Sequence, residues 1–89
     1  MGTSLLICQG CIRLLATTKA EGRRIESRLG LLRAVLESRY GPLRVERHEC
    51  LLHCGEATIC LFLKKDGESR PRCAHLDPNN PAEPRWTKR

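Results

Sequence analysis

The period of the hydrophobic positions changes several times along the chain. Thr3-Ser4-Leu5-Leu6-Ile7 is a short apolar run that predicts a buried strand ending at Cys8. Residues 9–22 have no clear period. Gly10, the pair Thr17-Thr18 and Gly22 there predict a long connection with a helical turn around Ile12 to Leu15. Ile25, Leu29, Leu32, Val35 and Leu36 then recur at helical spacing, while Arg24, Arg28, Arg33 and Glu37 fall largely on other faces. Gly41 followed by Pro42 stops this helix, and Gly30 within it weakens it slightly.

From Leu43 to His48 apolar and polar residues alternate, which predicts a half-buried strand running into Cys50. Ala57 to Lys64 alternates again, with Ala57, Ile59, Leu61 and Leu63 on one face. Asp66-Gly67 predicts a hairpin turn, and a fourth strand follows from Glu68 to Leu76, placed at a sheet edge by Pro71. Pro78, Pro81 and Pro84, with Asn79 and Asn80, make residues 77–89 an extended or disordered basic tail beyond a folded domain over 1–76. The class is α/β, a β-α-β-β-β sheet with no clear C-terminal helix. Its strand–helix–strand opening predicts a parallel pair with a right-handed crossover.

At 89 residues the chain is a single small domain, and such domains are often stapled. Tyr40, Phe62 and Trp86 are the only aromatic residues, so Leu, Ile and Val must build the core. The candidate staples are six cysteines. A secreted disulfide framework would go with an export signal. The apolar stretch from Met1 to Leu15 has no basic start and is interrupted by Gln9 and Arg13, so no signal is readable. No apolar run approaches a membrane span. The expectation is therefore a cytoplasmic protein with reduced thiols, free to bind metal or do redox chemistry. The net charge of +6 is spread along the chain, which fits a solvated helix face or docking to an acidic protein better than nucleic acid, for which aromatic stacking residues are few. A homodimer is compatible with these features.

The cysteine spacing is Cys8-x2-Cys11-x38-Cys50-x3-Cys54-x5-Cys60-x12-Cys73. Cys8 and Cys50 each lie just beyond the C-terminal end of a predicted strand. If those strands are parallel neighbours, both pairs open onto the sheet edge where α/β sheets commonly bind ligands. Four thiolates there suit zinc or an iron–sulfur cluster, and the spacing alone does not choose between them. Cys60 alternates with apolar residues and reads chiefly as a core thiol, with a second role as an alternative ligand. Cys73 reads as structural. His53, His48 and His75 read as solvated, and Lys64-Lys65 as edge protection beside the hairpin.

Cys8-x2-Cys11 after one strand and Cys50-Leu51-Leu52-His53-Cys54 after the next resemble the thioredoxin-like [2Fe-2S] ferredoxin group. The motifs are also similar to those of a family of small uncharacterised bacterial proteins described as predicted metal-binding. Members of that family carry C-x2-C, C-L-x-x-C, a further cysteine and a Leu-Asp-Pro, matched here by Cys60 and by Leu76-Asp77-Pro78. The resemblance covers roughly residues 4–78. It implies a small thioredoxin-like sheet and a [2Fe-2S] cluster on Cys8, Cys11, Cys50 and Cys54, with Cys60 as a substitute ligand. The ferredoxins space their first pair more widely, usually close with a C-terminal helix, and are often acidic.

Three functions follow. The first is an electron carrier or cluster-bearing accessory that partners a redox enzyme. The second is a zinc-stabilised module docking an acidic protein or nucleic acid. The third is a thiol–disulfide oxidoreductase using Cys8 and Cys11, which would need an accessible low-pKa thiolate. No Ser/His/Asp set, phosphate loop or carboxylate pair is readable, so no independent hydrolase or transferase activity is expected.

Overall fold

In the computed structural model, residues 2–49, 58–67, 70–80 and 83–88 are described. Their order is β1 (Thr3–Cys8), α1 (Gln9–Leu15), α2 (Lys19–Tyr40), β2 (Leu43–His48), β3 (Ile59–Lys65), β4 (Arg72–Leu76) and β5 (Thr87–Lys88). They form one mixed sheet of order β2-β1-β3-β4-β5, so the class is mixed α/β. β1 and β2 run parallel, Leu5 beside Val45 and Cys8 beside His48. β3 returns antiparallel to β1, and β4 folds back on β3. The parallel pair with its helical crossover is the connection expected from the sequence.

One face of the sheet presents Leu5, Ile7, Leu43, Leu61, Leu63 and Leu76 to the buried side of α2, formed by Ile25, Leu29, Leu32 and Leu36. That side is the helical stripe of the sequence, except that Val35 is 42% exposed. Position 35 falls at the margin of the stripe, where helical spacing alone does not separate buried from exposed.

Residues 9–22 differ from the expected long connection. They hold a seven-residue helix, α1, and the first turn of α2. Thr18 caps α2, its hydroxyl accepting from the Glu21 amide at 3.1 Å, while the Glu21 carboxylate accepts from the Thr17 hydroxyl at 2.8 Å. This capping pair, spaced as Thr-x-x-Glu, starts the helix six residues before its first buried leucine-type position. Gly22 lies inside α2 rather than in a loop. At the other end Gly41, with φ of +79°, supplies the left-handed turn that stops α2, and its amide bonds Glu37 O at 2.9 Å.

β3 also differs from its alternating pattern. Ile59 to Leu63 are buried on both faces, so both sides of the sheet are covered along this central strand. Ala57 lies outside the described residues. β4 starts at Arg72, after Pro71, and is not an edge at its start, because Arg72 and Cys73 pair with Lys88 and Thr87 of β5. The described part of residues 77–89 contains no helix and folds back onto the body: Pro84 is buried, Trp86 packs against the core, and Arg39 grips Glu83 through two bonds of 2.6 and 2.7 Å. Among the described residues no helix is long and apolar enough to cross a membrane.

Candidate functional site

The β1–α1 junction is set by where the apolar strand stops. Cys8 is the last residue of β1 and the N-cap of α1, and Cys11 lies in the first turn of that helix. Spacing of three residues across a helix start puts both on one side. Both are buried, Cys8 completely and Cys11 with 3% of its surface exposed.

Glu49 fastens the end of β2 to this junction. Its carbonyl accepts from the Gly10 amide at 3.0 Å and lies 3.9 Å from the Cys8 thiol. Its carboxylate takes both arms of Arg13 on α1, at 2.7 and 2.9 Å. The Arg13 hydrogen bonds, and then its charge, hold the Glu49 carboxyl below the ordinary carboxylate range. Approach this close depends on Gly10, because a Cβ there would stand 2.6 Å from the Glu49 carbonyl oxygen. From sequence alone Gly10 marks only a loop. Its signal was a glycine between two cysteines at a helix start, where a better helix former costs less.

A second clamp lies beside the first. Arg47, at the end of β2, donates to Glu26 of α2 at 2.8 Å and to Gln9 of α1 at 3.2 Å. Hydrogen bonding to Arg47 depresses the Glu26 pKa against the opposing effect of burial.

Cys60 reaches the same end of the sheet from the other side. The last paired residues of β1 and β3 are Ile7 and Leu61, and one step further come Cys8 and Cys60. Both point to the face away from α2, and both are fully buried. Alternation along the chain assigns Cys60 mainly a packing role; the register makes it a cross-strand neighbour of Cys8. Alternation alone could not have found this, since it does not supply register. Cys73 lies on the same face one row away, opposite Phe62, with its sulfur 3.5 Å from the Thr87 hydroxyl. His48 and His75 flank Cys8 and Cys60 in that row and are exposed.

Cys50, Cys54 and His53 lie outside the described residues. The chain on either side of them is placed, however. It leaves at Glu49, beside Cys8, and is described again from Thr58, next to the start of β3 at the same sheet end. Among the described residues, no three His, Cys, Asp or Glu side chains gather closely enough to hold a metal ion. Cys8, Cys11 and Cys60 therefore do not make a metal-binding group by themselves, although thiols are the donors that thiophilic metals prefer. Comparison with known protein families, with curated proteins and with solved structures finds no match to this chain.

Proposed function

We propose that this chain is a small thioredoxin-like iron–sulfur protein, an electron carrier or a cluster-bearing accessory to a redox enzyme. Cys8, Cys11, Cys50 and Cys54 hold a [2Fe-2S] cluster, with Cys60 as the substitute fourth ligand. The observation that carries the reading is the attachment of Glu49 to Cys8, Gly10 and Arg13, which brings the residue preceding Cys50 against the first cysteine pair. A parallel β1–β2 pair continued by an antiparallel hairpin is also consistent with a thioredoxin-like sheet that lacks its closing helix.

The donor chemistry fits such a group. Thiolates are the usual ligands of iron–sulfur clusters and of structural zinc. Burial of Cys8 and Cys11 keeps water from their sulfurs, and solvent exposure is one of the levers on a cluster's potential. When bound, the cluster supplies one-electron transfer. The chain's own part is to fix the first thiol pair at a strand end, to hold the neighbouring strand end against it, and to exclude solvent. The basic surplus suits an acidic face on the redox partner. The same burial speaks against the oxidoreductase reading, because thiol–disulfide exchange needs a sulfur that a partner can reach.

Purification under anaerobic conditions tests the reading. It predicts brown protein with visible charge-transfer absorption, equal iron and sulfide, and a signal by electron paramagnetic resonance after one-electron reduction. Colourless protein with stoichiometric zinc, unfolding when a chelator is added, would replace it with the zinc-stabilised module. Protein with neither metal would remove both.

A further inference from the structure

The geometry points to a docking surface for a second copy of this chain along the outer edge of β2. β2 is an end strand: β1 lies on one side, and no strand of the described residues lies on the other. A strand in this position carries outward backbone donors and acceptors that another strand can pair. Charge often protects such an edge, yet the charges here alternate in sign and are self-complementary. Arg44 and Glu46 lie on the face away from α2, both exposed, and the ion pairs of the described residues use other groups.

Only certain registers exploit that pattern. If two β2 strands pair antiparallel about a two-fold axis through Val45, Arg44 stands opposite Glu46 of the partner subunit, and Glu46 opposite the partner's Arg44. Moving the axis to Glu46 sets carboxylate against carboxylate, and moving it to Arg44 sets guanidinium against guanidinium. A slip of one residue in one direction sets Arg44 against the partner's Arg47, and in the other sets Arg44 against the partner's Val45 and Glu46 against the partner's Leu43, where neither charge has a counter-charge. Opposite charges directly across a strand pair stabilise it and like charges oppose it. The sequence of this edge therefore selects one closed, isologous arrangement.

Gly30 supports the same axis independently. It sits in the middle of α2, where glycine is unfavourable, and a Cβ built on it meets nothing within 4 Å. No packing requirement among the described residues explains it. Gly30 and Val45 line the same narrow cleft between α2 and β2. A two-fold axis perpendicular to the sheet through Val45 keeps both α2 helices on one face and runs them past each other beside that cleft. A residue without a side chain permits close approach there.

The proposal rests on the sheet edge and not on the metal reading, so either can fail alone. Sedimentation equilibrium of the full chain, as purified and under reductant so that no disulfide joins copies, is expected to show a reversible dimer. Glu46→Arg should raise its dissociation constant at least about tenfold, and Arg44→Glu with Glu46→Arg should return it to near the wild-type value. Gly30→Leu should also weaken the dimer at least about tenfold while leaving the thermal unfolding of the monomer unchanged or higher. A chain that stays monomeric to near-millimolar concentration overturns the proposal. So does a dimer indifferent to Glu46→Arg, or one that the charge swap does not restore.

Discussion

The two faces of the sheet differ in composition. The face under α2 is aliphatic: Leu5, Ile7, Leu61, Leu63 and Leu76 meet Ile25, Leu29, Leu32 and Leu36, all buried. The other face carries the thiols. Cys8, Cys60 and Cys73 lie there on three neighbouring strands, with Phe62 opposite Cys73 in its row and His48, His75 and Thr87 beside them. A buried leucine serves packing alone, whereas a buried thiol packs as a small hydrophobe and also keeps a ligand in reserve. Stability is thus concentrated on one face and candidate chemistry on the other, and the Glu49 attachment joins them at one end of the sheet.

The sharpest way to break this division is Cys8→Ser. If the thiol face holds metal, this change should abolish bound metal almost completely, as measured by elemental analysis of folded protein. Cys11→Ser is expected to do the same; metal retained there but lost in Cys60→Ser would give the fourth place to Cys60. Leu36→Ala, fully buried on the opposite face, should cost about 3 kcal/mol in unfolding free energy by denaturant titration and leave metal per folded chain unchanged. Gly10→Ala probes the junction between the faces. Its Cβ must displace the Glu49 carbonyl, so a loss of about 2 kcal/mol and faster metal release to a chelator are expected.

The smallest effect concerns pH. The Glu49 carboxyl is depressed in the folded chain by Arg13, so its contribution is present above the unfolded pKa and lost as pH falls through the folded one. The Gly10 amide resonance should follow that loss in acid. In Glu49→Gln its shift should be flat over the same range. The ion pair is solvent-exposed, so little change in melting temperature at neutral pH is expected.

Much of the fold could be read from periodicity. β1, β2 and the buried face of α2 follow directly from apolar spacing, and the end of α2 from Gly41-Pro42. The start of α2 was hidden because Thr18 and Glu21 act through hydrogen bonds that hydropathy does not register, and α1 because seven residues are too few to establish a period. Cys8 was legible as a strand-end thiol. Its neighbours were not: the approach of Glu49 depends on a missing side chain at Gly10, and the alignment of Cys60 depends on register across strands far apart in sequence. The expected places of Cys50 and Cys54 lie outside the described residues.

The most direct measurement is the metal and sulfide content of anaerobically purified wild-type chain beside Cys8→Ser and Cys73→Ser. The account predicts iron and sulfide in equal amounts in the wild type and in Cys73→Ser, and neither in Cys8→Ser. Equal metal in all three, or none in the wild type, would contradict it.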